Sequence, residues 1–213
     1  MRGNILHSSL SLALLLLLTL PAVVQAQFTF TTNADNTLTI TGYTGPGGVV
    51  VIPAITNGYP VTSIGTSAFQ WKSKVDSVTV PNGVTAIGTN AFYGCTGLTN
   101  ANITSVAIIM DGALRGCHKL PSLLIPSSTT NIGYCVFYDD WALNSITVES
   151  NSPTYCSVDA ILFNKNKTTL IQCPEMKGGT YAIPTTVSNI ADYAFFACHN
   201  LASVAIPNSV IRV

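Results

Sequence analysis

One unit, repeated down the chain, limits the architecture more than any other feature. Aligned on a small residue followed by a large apolar one, its copies read Ala68-Phe69, Ala91-Phe92, Ala113-Leu114, Val136-Phe137 and Ala194-Phe195. The second residues of the first four copies are spaced by 23, 22 and 23 positions, and Phe195 follows 58 after Phe137. A period between 20 and 29 residues is the mark of a solenoid, in which one coil cannot bury its own apolar face and does so by stacking on the next.

Within the unit, a short strand comes first, as in Val61-Thr-Ser-Ile64 and Val84-Thr-Ala-Ile87. Gly65, Gly88 and Gly133 follow the isoleucines, where a tight turn is expected. The small-aromatic segment is too short for more than a single helical or 3₁₀ turn. A second strand closes the unit, with apolar residues at its first, fourth and sixth positions. These are Val75, Val78, Val80; Leu98, Ala101, Ile103; Leu120, Leu123, Ile125; Leu143, Ile146, Val148; and Leu201, Val204, Ile206. Prolines at 53, 81, 126, 184 and 207 end these strands by removing a ladder donor. The expected fold is mainly β with short helical turns, in coils of 22 to 23 residues. In-register stacking would place successive phenylalanines ~4.8 Å apart, the spacing of neighbouring strands.

The ends and the long gap depart from the period. Phe28–Thr31 and Leu38–Thr41 alternate about a turn-forming Asn33-Ala-Asp-Asn36, which predicts a hairpin capping the first coil. Residues 27–60 are read as this cap and the first half-coil, and 61–148 as repeats. Residues 149–182 are read as an insert in which 159–163 and 168–171 are strands joined by Asn164–Lys167. Repeats resume over 183–213 and stop at Val213 with no cap, so either the last coil frays or the array is longer. Residues 1–26 read as a secretory leader: Arg2, an apolar run from Leu10 to Leu20, then Val24-Gln25-Ala26 before the cleavage point. That run is too short to span a bilayer with comfort, and an exported or surface-held mature chain without membrane insertion is expected.

These residues resemble the BspA-type leucine-rich repeats of bacterial surface proteins. Leu98 to Ile103, Val84 to Gly88 and Ala91 to Cys95 follow that family's pattern of Leu-x-x-Val-x-Ile, Val-Thr-x-Ile-Gly and Ala-Phe-x-x-Cys. Tyr155 to Pro174 is similar to a module found between repeats in the family, and Thr39 to Gly48 to a lead-in of some members. Departures are the missing Pro after Ile103, Met110 in a glycine slot, and Lys72 and Asp140 in the cysteine slot. The resemblance implies a secreted or cell-surface binding module, some relatives being adhesins for host matrix proteins.

No reactive constellation stands out. Gly-x-Ser-x-Gly, His-Glu-x-x-His, a P-loop and Cys-x-x-Cys are all missing from the sequence. Neither catalysis, a cofactor nor a metal is expected. Cys117-His118 and Cys198-His199 are adjacent pairs whose side chains should point apart, and Asp139-Asp140 is expected at a solvated edge. Cys95, Cys117 and Cys198 share one slot of the unit and read as reduced core thiols. If a bridge forms, Cys156 and Cys173, which flank the inserted hairpin, are the expected pair. Net charge is zero and charged residues make up only 8% of the chain, which argues against nucleic acid or an anionic membrane as partner.

What remains is a protein ligand on a neutral face. The outward positions of the second strands supply the candidates: Asp76, Ser77, Thr79, Thr99, Asn100, Asn102, Ser122, Asn144, Ser145 and Thr147. Lys165 and Lys167 of the insert join them as the most basic part of the chain. Trp71, Tyr93, Tyr138, Trp141 and Tyr193 lie near the helical turns and are expected to be partly buried over the core. Two other roles stand beside protein binding: a structural spacer or surface-layer element, and glycan binding through aromatics on an open groove.

Overall fold

A computed structural model describes residues 27–213, so the leader reading of 1–26 lies outside the described residues. β1 (Phe28–Thr32) and β2 (Leu38–Tyr43) form the N-terminal antiparallel hairpin, with Asn36 in a left-handed conformation at its turn. β3 (Gly48–Val51) begins one wall of the coil. A tight antiparallel corner, β4 (Ile55–Thr56), then feeds β5 (Tyr59–Ile64), which runs parallel to β2.

From there each coil adds one strand to each wall. The first wall continues from β5 through β7 (Ala86–Ile87), β9 (Ile108–Ile109) and β11 (Asn131–Ile132), all parallel. The second continues from β3 through β6 (Val75–Thr79) and β8 (Asn100–Asn102); β10 (Ser122–Ile125) then pairs with β12 (Ser145–Val148). Val61, Ile64, Val84, Ile87, Val106 and Ile109 face inward from the first wall, and Val75, Val78, Leu123 and Ile146 from the second. This is the anticipated solenoid.

The turn between walls differs in detail from a helical turn: no helix occurs among the described residues. Each turn has two positions with positive φ, one just before the small residue and one just before the cysteine slot. The first set is Ser67, Asn90, Gly112, Cys135 and Tyr193; the second is Trp71, Gly94, Gly116, Asp139 and Ala197. A left-handed residue every four breaks the run of right-handed dihedrals that a helix needs. The turn amides instead bond to the next coil, as in Phe69 N to Ala91 O at 2.7 Å and Phe92 N to Ala113 O at 2.8 Å.

Gly65, Gly88 and Gly133 are not at positive φ. They are glycines because coils touch there: a Cβ on Gly88 would lie 2.8 Å from both Gly65 C and Thr66 N. Above them runs the aromatic column. Tyr43 stacks on Phe69 at 5.0 Å and Phe69 on Phe92 at 4.8 Å, and Leu114 and Phe137 are buried in the same slot.

At 155 the period breaks. β13 (Tyr155–Val158), β14 (Ile161–Asn164) and β15 (Thr169–Gln172) make an antiparallel meander, one strand more than the two expected. β15 then rejoins the solenoid, pairing in parallel with β17 (Asn189–Ile190), while β16 (Gly179–Ala182) pairs with β18 (Leu201–Ala205). The core divides at this point into two clusters. The larger runs from Phe28 to Ile146 with Leu162, and the smaller is built on Ile161, Phe163, Leu170, Cys173, Tyr181, Ile183, Val187, Ile190 and Ala194. In the last strand the apolar slots are less covered than expected: Leu201 and Val204 are half-buried and Ile206 is exposed.

Candidate interaction surface

The outward residues of the second wall form columns because parallel pairing, continuous in register from Val49 onward, carries one coil's slots onto the next. Val49, Ser77 and Asn100 are register partners, as are Val51, Thr79 and Asn102; further on Ser122 pairs with Ser145 and Leu124 with Thr147. Asp76, Thr79, Thr99, Asn100, Asn102, Ser122, Asn144 and Thr147 are exposed, and Ser77 and Ser145 half-buried. The Thr99 hydroxyl is partly committed, donating to Asp76 O at 2.9 Å.

Sequence reasoning missed that Val49 and Val51 belong to this face. Val49 and Val51 are 75% and 58% exposed and head the two columns, and Leu124 is 52% exposed within one of them. Alternation would have placed Val49 and Val51 outward, but a run of three valines reads as core. Between β8 and β10 the face opens into a cleft of about 280 Å³ lined by Asn100, Asn102, Thr104, Ser122, Leu124 and Glu149 among others. This is where Pro is missing after Ile103. The Glu149 carboxylate accepts the Ser127 amide at 2.7 Å, which holds its pKa below the usual carboxylate range.

The two lysines lie elsewhere, on the inserted meander. Lys165 donates to Ser152 O and so is partly committed inside the chain, while Lys167 is exposed with positive φ in the β14–β15 turn.

The turn edge carries the aromatics, and there the expectation of partial burial fails for three of five. Trp71 and Trp141 are each 60% exposed and Tyr193 is also exposed; Trp71 and Tyr193 are themselves left-handed residues of the turn, which directs their side chains outward. They pack on one another across coils instead: Trp71 on Tyr93 at 4.4 Å and His118 flat on Trp141 at 3.9 Å. The Arg115 guanidinium lies over Tyr93 and Tyr138, at 5.2 and 4.5 Å from the ring centres, and pairs with Asp139 at 3.6 Å. Trp71 and Trp141 border separate cavities, not one groove.

The cysteine slot is a ladder of its own. Cys95 and Cys117 donate their thiols to the carbonyls of Phe69 and Phe92 in the preceding coil, at 3.1 and 3.5 Å. Burial pushes Cys95 up to about 12 and Cys117 well above an ordinary thiol, so both are unreactive. With Cys117 buried and His118 stacked on Trp141, that adjacent pair points apart.

Asp140 corrects the reading of a solvated acid pair. It fills the cysteine slot, is fully buried, and accepts the Cys117 amide at 2.7 Å with its Oδ1. Its Oδ2 is buried without a partner, and burial raises its pKa well above the ordinary value. Asp139 alone lies at the edge, half-buried. Among the described residues no group of three or more His, Cys, Asp or Glu converges as metal ligands would.

The repeat geometry has a counterpart among known proteins. The family model for the BspA-type leucine-rich repeat region matches residues 52–170 and 172–213 in six copies. The chain belongs to the BspA-type leucine-rich repeat family. Solved structures agree on the fold. The pneumococcal vaccine antigen PcpA is 20% identical with a TM-score of 0.63, over 86% of this chain and 69% of that one. The Treponema pallidum leucine-rich repeat protein TpLRR is 23% identical with a TM-score of 0.58, over 86% and 81%. A leucine-rich repeat protein of Bacteroides capillosus is 29% identical with a TM-score of 0.51, over 58% of this chain and 95% of that one. No curated protein matches significantly.

Proposed function

We propose that this BspA-type repeat chain is an exported or surface-displayed interaction module. It binds a protein ligand through the open face of β3, β6, β8, β10 and β12, and carries no catalytic centre. The observation that carries this reading is the face itself: register-aligned neutral hydroxyls and amides, begun by exposed Val49 and Val51 and interrupted by the Leu124 cleft. Solenoids present extended surfaces of this kind to partners. A stripe that mixes exposed apolar area with uncharged polar groups costs less to desolvate than a charged one, and charge is what the centres of interfaces are depleted in. Export is supported by the character of residues 1–26 and by family membership, and the similar PcpA is described as a vaccine antigen. The lysines of the insert lie off this face and serve as a second, weaker contact region.

The test is capture of matrix and cell-surface proteins by the parent chain, repeated with Asn102→Arg and Val51→Asp. Both positions are exposed on the face, so both variants should fold with an unchanged urea midpoint and lose the captured ligand. A ligand retained by both variants would move the site off this face, and failure of the parent across the panel would favour a spacer role.

A further inference from the structure

The smaller core holds a pair of thiols that the ladder brings together by the same rule that places Cys95 and Cys117. In the regular coils the cysteine-slot thiol reaches back to the carbonyl of the preceding coil's aromatic slot, 25 or 26 residues earlier. Cys198 does the same at 25 residues, its sulfur 3.7 Å from Cys173 O. Here the insert has shortened the preceding turn. Cys173 occupies the aromatic slot, its amide bonding Ala194 O at 2.7 Å as Phe69 N bonds Ala91 O. A thiol therefore stands where a phenyl ring would. Both sulfurs converge on one acceptor, Pro174 O, at 3.7 Å from Cys173 and 3.6 Å from Cys198.

We propose that Cys173 and Cys198 are a redox-active dithiol that closes to an inter-coil disulfide, with low-molecular-weight disulfides as its oxidant. Cys156, the partner expected from the sequence, is directed elsewhere: its sulfur lies 3.3 Å from Asn164 O, across the β13–β14 pair. Cys198 is half-exposed and Cys173 buried, so the oxidant enters at Cys198. The Cys198 thiolate attacks one sulfur of oxidised glutathione and expels a glutathione thiolate, giving a mixed disulfide. The Cys173 thiolate then attacks the Cys198 sulfur and expels the second. Two electrons pass to glutathione, and the two protein protons end on its two thiols.

Exposure sets that order: contact with Cys198 and burial raise the Cys173 thiol, and Cys198 is the half-exposed member of the pair, so Cys198 meets the oxidant first. The structural consequence falls on the less covered end of the molecule. The bridge would tie the coil of β18, whose apolar slots are half-buried, to the meander, and small cores are where such staples matter most.

The experiment incubates the reduced, purified chain with oxidised glutathione, then counts thiols in denaturant and maps the digested peptides. The expected result is loss of two thiols, a mass lower by two hydrogens, and a peptide joining 173 to 198. Cys156→Ser should behave likewise, Cys198→Ser should form no internal bridge, and the oxidised parent should unfold at higher urea than the reduced one. Six thiols surviving the oxidant, a bridge that includes Cys156, or a glutathione adduct at Cys198 that never resolves would each overturn the proposal.

Discussion

Replacing Phe92 tests the stacked column most directly. Its ring is fully buried and stacks on Phe69 at 4.8 Å and 22° between planes, while its amide bonds Ala113 O of the next coil. Truncating such a side chain costs ~3–5 kcal/mol, the sum of lost transfer energy and an unfilled cavity. Of this, ~0.5–1.5 kcal/mol belongs to ring–ring geometry beyond area. Against a typical net stability of ~5–15 kcal/mol, Phe92→Ala should move the urea midpoint far down with little change in slope, followed by circular dichroism. The control is Phe92→Leu. Leu114 already occupies this slot one coil later and is fully buried, so the column accepts leucine and the cost should stay below ~1.5 kcal/mol. A Phe92→Ala loss under ~1 kcal/mol, or a Phe92→Leu loss equal to it, would refute the stacked column as the source of stability.

Gly88→Ala should destabilise by ~1–3 kcal/mol, since its Cβ would press on the Gly65 and Thr66 backbones at 2.8 Å; a neutral result in thermal melts would show that the coils do not approach so closely. Asp140 has a folded pKa raised above the unfolded value of 3.8, so the native state holds its proton longer. Its contribution is full below that value and declines as pH climbs from there through the raised folded pKa. Asp140→Asn keeps an acceptor for the Cys117 amide and removes the titration. Relative to the parent, the variant should therefore gain stability between pH 4 and pH 8; parallel urea midpoints at the two pH values would contradict the buried, protonated carboxyl.

Much of the fold is legible in the chain because a solenoid's contacts are nearly local: each residue meets its own slot one period away, and the period is written in Phe69, Phe92, Leu114 and Phe137. The cap hairpin, the inward residues of both walls and the outward columns of Asn100 and Asn102 follow from alternation plus that period. The candidate face was thus readable apart from Val49 and Val51, whose apolar character alone hides which side they take.

Other features are products of the stacking itself. The cysteine slot marks Asp140 for the interior, yet a carboxyl beside Asp139 reads as a solvated acid, because the bond that lets it sit there comes from the neighbouring coil's Cys117 amide. Glycines 65, 88 and 133 suggest a special backbone angle, yet what they supply is an absent Cβ where two coils press together. Cys173 meets Cys198 only because the meander shortens one turn, leaving a thiol in an aromatic slot. Periodicity is a property of one strand of sequence, whereas the fate of a residue that breaks the period depends on which atoms of the adjacent coil stand over it.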